Sequence, residues 1–348
     1  MTAAPYLDTL GMWDAVSAQP EQWRTALASS LEVLDSAALP EPDAIRSVAL
    51  FGMGTSGTAA DAVAAYGAGR SRLPIWVGKD YGAPAFVGPH TLVCALSYSG
   101  DTEETCAAAA DAAALGAPVV VVSSGGALAA LAAEAGFTRL PVTADLPASR
   151  CALGALAVPL LTVLARLGIV PDVVPSLDAA LASLRRRRDA LVAPTGAAAA
   201  VARLIGLTIP LVYGSTGLTA VAAQRWKTQV NENAKTPAFF AVLPELSHNE
   251  VAGWGQHGDV TRQVLSLVTL RHGGEHPQVA RRFTLVVDAT DEVMANVIPV
   301  WAEGEDDLGR FLDLALFGDF VSLHMAGREG IDPGPAPALS DVESALRH

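Results

Sequence analysis

The chain has 348 residues, of which 51% are apolar and 17% charged, a balance that excludes extended disorder and a length that exceeds what one core ordinarily fills. A formal net charge of −13 disfavours a surface that would draw in a nucleic-acid backbone, and the one dense basic run, Arg185 to Arg188, sits in a stretch that reads as a solvated helix or an oligomer contact, with an anion site as the lesser alternative. Cys94, Cys106 and Cys151 make no C-x-x-C pair and no cluster with histidine, so neither a disulfide framework nor a metal site is expected.

Cysteine usage fits a reducing cytoplasm, and the opening "MTAAPYLDTLGMWDAV" lacks the basic-then-apolar order of an export signal. The next segment, "EQWRTALASSLEVLDSAAL", has helical apolar spacing and reads as a helix packed on the domain that follows. From residue 47 short β-rich runs alternate with alanine-rich ones. Strands are expected in "SVALFGMG", "LPIWVG", "HTLVCALSYSG" and "PVVVVSSGG", and helices through "TAADAVAAYGAG" and "TEETCAAAADAAALG". Near-continuous Val, Ile and Leu strands separated by helices imply a parallel sheet covered on both faces.

The run "CALGALAVPLLTVLARLGIV", Cys151 to Val170, approaches the length of a bilayer span, but Pro159 and Arg166 interrupt it and no second span follows. It reads as a buried helix at a domain or subunit interface, with no membrane contact. Pro171 and Pro175 follow it, so the boundary is placed there: residues 1–172 carry the N-terminal helix and a first domain, residues 173–348 a second domain and C-terminal helices. Beyond the arginine run, strands are expected in "LTIPLVYGSTG", "PAFFAVLP", "VLSLVTLR", "FTLVVDAT" and "VIPVWAEG". Helices are expected through "LTAVAAQRWKTQVNENA", "DDLGRFLDLALFGDFVSLHMAGREG" and the C-terminus. The fold class is α/β, with two doubly wound domains of similar plan.

Open parallel sheets bind ligands beyond the carboxyl ends of their strands. In "LFGMGTSGTAAD", Gly52, Gly54 and Gly57 allow close backbone approach while Thr55 and Ser56 offer hydroxyls, either as an anion loop or as a simple tight turn. The spacing is not that of a dinucleotide fingerprint. In "LSYSGDTEET", Ser97, Ser99 and Thr102 set three hydroxyls around a glycine before a helix, which suits a phosphate monoester. Asp101 and Glu104 in the same stretch look like a capping box, the structural reading of that turn. In "NENAKTPAFFAVLPELSHNE", Glu232 and His248 are either an acid/base pair or two polar loop residues.

Taken in order, "GMGTSG", "SYSGDTEET", "RWKTQVNENAKTPAFFAVLPELSHNEVAGW" and "GDFVSLHMAGREGIDP" resemble the bifunctional phosphoglucose/phosphomannose isomerases, a branch of the sugar isomerase (SIS) domain superfamily. The resemblance implies a homodimer whose subunits have two SIS domains, each with a mostly parallel five-stranded sheet, and a hexose 6-phosphate held between domains at the subunit interface. It implies that Ser97, Ser99 and Thr102 bind the phosphate and that Gly54 and Ser56 face the substrate. By the same likeness Arg150 lies near the reacting carbons, Glu232 is the catalytic base, and His248 opens the sugar ring from the neighbouring subunit. No metal and no cofactor are implied.

That chemistry calls for these residue types. Aldose/ketose interconversion opens the ring and moves a proton between C2 and C1 through a cis-enediol, which one carboxylate can carry both ways. Ring opening needs a group that exchanges a proton near neutral pH, as imidazole does. An arginine beside C1 and C2 would stabilise the enediolate. The family's C-terminal helix carries a lysine where this chain has Glu343, with Arg347 one turn further on. Thr55, Asp101 and His324 stand where the family has glycine, asparagine and tyrosine. Two functions are therefore expected: an isomerase joining glucose 6-phosphate and mannose 6-phosphate to fructose 6-phosphate, or a non-catalytic sugar-phosphate-binding sensor or partner subunit. An aminotransfer or deamination reaction is disfavoured, since no glutaminase domain is present.

Overall fold

The structure, a computed structural model, describes residues 6–346. Arg347 lies outside the described residues. The chain divides into two compact units: Ala18–Leu181 forms the first, and Ala182 onward joins the chain start up to Ser17 in the second.

The helix α1 (Met12–Ser17) belongs to the second unit. The first unit runs α2 (Gln19–Leu34), β1 (Ser47–Phe51), α3 (Gly54–Gly67), β2 (Ile75–Gly78), β3 (Thr91–Ser97), α4 (Glu103–Ala114), β4 (Val119–Ser123), α5 (Gly126–Ala135), β5 (Thr138–Pro141) and α6 (Leu153–Arg166). Its five strands are all parallel in the order β2-β1-β3-β4-β5. β3 lies in the middle and every one of its residues is buried, which is why "TLVCALS" reads as an unbroken apolar run rather than an alternating one. The apolar stretch after Cys151 is α6, and its residues from Leu153 to Leu164 are all buried. No helix among the described residues is long and apolar enough to cross a membrane.

α7 (Val174–Leu191) carries the arginine run, and the division between the units falls within it. The second unit continues with α8 (Ala197–Ile205), β6 (Ile209–Ser215), α9 (Leu218–Ala234), β7 (Phe239–Leu243), α10 (Gly258–Val264), β8 (Leu265–Arg271), α11 (Pro277–Thr290), β9 (Asn296–Trp301), α12 (Asp307–Arg328) and α13 (Pro337–Leu346). Its sheet is parallel with four strands, in the order β7-β6-β8-β9, not five as the resemblance implies. The missing strand is "FTLVVDAT", which is the second half of α11. Its composition suits a strand, but Phe283, Val286 and Thr290 are buried while Leu285 is exposed, a spacing of three and four that only a helix produces. Pro277 in the first turn and the His276 side chain, which accepts from the Gln278 N–H at 3.1 Å, start that helix.

In each unit one tryptophan lies against a glycine of a neighbouring helix. A Cβ on Gly154 of α6 would come within 2.5 Å of the Trp23 ring of α2, and one on Gly318 of α12 within 2.3 Å of the Trp226 ring of α9. The N-terminal helix α2 thus packs on its own unit, as its spacing predicts.

Candidate active site

The strand order of the first unit reverses at β1, whose chain continues to β2 on one side and whose other neighbour is β3. The carboxyl ends of β1 and β3 are therefore a topological switch point, where a parallel sheet opens a crevice. Both glycine- and hydroxyl-rich turns identified in the sequence emerge there.

At the end of β3, Ser97 is buried and its Oγ lies 2.8 Å from Thr102 Oγ1 and 3.4 Å from Ser99 Oγ, while it accepts from the Gly100 N–H at 3.0 Å. Ser99 Oγ accepts from the Asp101 N–H at 3.2 Å. Gly100 has φ +85°, and a Cβ there would lie 1.8 Å from the Gly125 carbonyl oxygen, so only glycine lets this turn sit against the start of α5. Thr102 is the N-cap of α4, yet its side chain makes no cap bond to that helix, and among the described residues no other side chain accepts from the first turn. The capping box expected of Asp101 and Glu104 is not formed, because Asp101 Oδ1 instead accepts from the Ala127 N–H of α5 at 2.9 Å. The three hydroxyls thus stand at an uncapped helix start whose N–H groups point where an anion would sit. Beside them, at the end of β4, the Ser123 hydroxyl is wholly buried and finds no partner among the described residues.

The turn after β1 leads into α3, with Met53 as an N-cap that supplies no side-chain bond, Gly54 exposed at φ +51° and Ser56 buried. Arg150 lies in a 3-10 turn, Ser149–Cys151, which packs against α3, and it is 5% exposed. The segment before it is tied to the hydroxyl loop, since Tyr98 Oη accepts from the Leu146 N–H at 3.1 Å. Ser97, Ser99, Thr102, Gly54, Ser56 and Arg150 are thus all carried by the first unit, and the five loop residues flank its switch point. Cys94 in the middle of β3 takes no part: burial pushes its thiol up to about 12, so it is no nucleophile at neutral pH.

In the second unit Glu232 lies in the last turn of α9, half-buried. The adjoining Lys235 ends the helix at φ 54° and donates to the Glu232 carbonyl, and at 3.5 Å to that of Pro333. α9 is held against α12 by a buried polar seam. Arg225 donates to Asp319 Oδ2 at 2.8 Å, Gln229 to Asp319 Oδ1 at 2.7 Å, and Asn233 to Ser322 Oγ at 2.9 Å. Arg225, Gln229 and Asn233 are spaced by four and face inward, and Glu232, three residues past Gln229, lies at the margin of that face in the last turn. Trp226, also in this segment, is fully buried and donates to the Leu314 carbonyl at 2.7 Å.

His248 ends a 3-10 turn, Glu245–His248, immediately after β7, and is exposed. The structure does not bring Glu232 and His248 together within one unit. α9 runs antiparallel to the strands, so Glu232 is at the amino edge of the sheet while His248 is beyond the carboxyl edge. The strand β7 between them alone spans roughly 16 Å. α13, which carries the exposed Glu343, follows Pro333 and so starts on the Glu232 side.

Two departures from the family pattern have local structural explanations. Asp101 holds α5, and His324 is buried in α12, edge-on to the Trp13 ring with centroids 4.8 Å apart and with Nε2 3.0 Å from the Leu191 carbonyl; burial lowers its pKa. One polar cluster has no signal in the sequence: Tyr213, in the middle of β6, donates to Glu250 and accepts from the Trp254 indole N–H at 3.2 Å. Among the described residues no three His, Cys, Asp or Glu side chains gather as a metal would require.

The family model described as bacterial phospho-glucose isomerase C-terminal SIS domain matches residues 195–346. A bifunctional phosphoglucose/phosphomannose isomerase from Caldicellulosiruptor bescii is 30% identical over 339 residues, 96% of this chain and 98% of that one. One of the same name from Aquifex aeolicus is 34% identical over 87% of this chain and 91% of its own. Among solved structures, tagatose-6-phosphate ketose/aldose isomerase from Escherichia coli superposes with a TM-score of 0.64 at 18% identity, covering 96% of this chain and 97% of that one. The last likeness shows the fold, whereas the first relative extends nearly end to end at an identity that shows common family. The chain belongs to the bifunctional phosphoglucose/phosphomannose isomerase family.

Proposed function

We infer that the protein is an aldose/ketose isomerase that interconverts glucose 6-phosphate or mannose 6-phosphate with fructose 6-phosphate through a cis-enediol. The observation that carries this is the near end-to-end match to relatives bearing that name, and the hydroxyl loop, Arg150, Glu232 and His248 supply the residue types that the reaction calls for. Neither relative's name favours the non-catalytic sugar-phosphate-binding reading.

In this reading Ser97, Ser99 and Thr102, with the first N–H groups of α4, hold the phosphate, and Gly54 and Ser56 border the sugar. His248 exchanges a proton with the ring oxygen, Glu232 shuttles a proton between C2 and C1, and Arg150 stabilises the charge that develops on the enediolate oxygens. The functional assembly is a homodimer in which His248 comes from the neighbouring subunit. The separation of Glu232 and His248 at opposite edges of one sheet supports this, since two groups of one copy so placed do not reach one sugar. Cytoplasmic work in glycolysis and mannose use follows from the substrates.

The test is Glu232→Gln. An amide keeps the shape and one acceptor oxygen but takes up no proton, so kcat for both hexose phosphates falls by at least ~10²-fold while fructose 6-phosphate binding, read by calorimetry, changes less than ~threefold. Undiminished turnover in that variant overturns the assignment.

A further inference from the structure

His248 is an exposed imidazole that makes no hydrogen bond among the described residues, set in a segment whose other members are bonded on every side. Ser247 Oγ donates to the Pro244 carbonyl at 2.6 Å and accepts from Arg282 of α11 at 2.5 Å. Asn249 donates to Glu245 at 2.9 Å and accepts from the Glu250 N–H at 2.6 Å. Glu250, two residues past His248, is gripped by Tyr213. The Tyr213 hydroxyl is itself fixed by the Trp254 indole, so the segment that directly follows His248 is pinned at Glu250 and Trp254 to β6, a strand paired on both sides in the sheet. A functional side chain is effective only where a surrounding shell fixes its geometry, and the bonds around His248 are such a shell.

We propose that Glu250, Tyr213 and Trp254 form a positioning device for His248, and that ring opening depends on it whereas the enediol step does not. The inference rests on the isomerase reading and deepens it. In ring opening the bond between the anomeric carbon and the ring oxygen breaks, the ring oxygen gains a proton and the anomeric hydroxyl loses one. No atom is gained or lost, and the rate depends on how well the imidazole is held in line with that oxygen. The carboxylate of Glu250 serves as a hydrogen-bond acceptor for the tyrosine, a role an amide oxygen also fills and a methyl group does not. Glu250 is half-buried rather than enclosed, which makes it the substitution with the least effect on folding.

The experiment compares full-length wild type, Glu250→Ala, Glu250→Gln and Tyr213→Phe on two substrates. One is fructose 6-phosphate, which is mostly cyclic. The other is 5-deoxyfructose 6-phosphate, which keeps the phosphate and reacting carbons at hexose spacing but has no hydroxyl with which to close a ring. Glu250→Ala and Tyr213→Phe lower kcat on fructose 6-phosphate by about tenfold or more with KM within about threefold, and leave the ratio of variant to wild-type rate on the acyclic sugar near one. Glu250→Gln stays within about threefold of wild type on both. The proposal is overturned if Glu250→Ala retains full kcat, if the acyclic sugar suffers the same loss, or if glutamine fails to restore the rate. His248→Ala run alongside separates the two layers: full turnover of fructose 6-phosphate by that variant removes the ring-opening role from His248 itself, whatever the Glu250 variants do.

Discussion

Ser97 is the hub of the hydroxyl loop, since its Oγ meets both Thr102 and Ser99 and accepts from Gly100. If Ser97 holds the phosphate as proposed, Ser97→Ala removes a contact made equally in ground and transition states. KM for hexose 6-phosphate therefore rises about tenfold or more while kcat changes little, as initial rates would show. Asp313 in α12 yields a second expectation, on stability. Burial pushes its carboxyl up to about 6, against the pull of Arg187, whose Nε donates to it at 2.7 Å. The unfolded carboxyl titrates near 3.8, so between about pH 4 and 6 the folded chain holds the extra proton. The contribution is full below the lower value and is lost as pH rises through the upper one, a fall on the order of 3 kcal/mol. Asp313→Asn keeps the acceptor but does not titrate, so the difference in urea-unfolding free energy between wild type and variant changes across that window; a constant difference from pH 4 to 7 refutes the shift.

Helices and strands carry the next level of argument. The four-residue spacing of Arg225, Gln229 and Asn233 turns one face of α9 toward Asp319 and Ser322, which fixes the helix whose last turn presents Glu232. Asp319 is wholly buried, and Asp319→Ala strips the Arg225 guanidinium of that carboxylate in the interior. A loss of about 3–5 kcal/mol is expected, read as a lower denaturant midpoint; a change under ~1 kcal/mol would show that the seam is not structural. Sequence and structure agree wherever the determinants are local. The clustering of the hydroxyls in "SYSGDTEET" was legible because residues two and five apart in one turn meet locally, and the central strands because burial on both faces leaves an unbroken apolar run. What was not legible depends on distant partners. Asp101 reads as a helix cap but bonds 26 residues away, and Tyr213 meets Glu250 across 37. "FTLVVDAT" looks like a strand because β-branched residues fill it, and only the faces offered by neighbouring elements select the helical period.

At the scale of the molecule, the proposed site draws Glu232 and His248 from different copies, and this makes the assembly testable without a structure of it. If Glu232 of one subunit works with His248 of the other, Glu232→Gln and His248→Ala are each inactive as homodimers toward cyclic hexose phosphate. Mixed and allowed to exchange subunits, half of the dimers become hybrids. Each hybrid has one site with both groups replaced and one with both intact. Turnover therefore recovers to about a quarter of the wild-type value at equal total protein, the product of random pairing and one live site in two. If both groups came from the same copy, every site in every hybrid would lack one of them and no activity would return. The recovery grows with the time and concentration that allow exchange, and it disappears when the subunits are cross-linked before mixing. Those dependences separate shared sites from a trace of contaminating wild type.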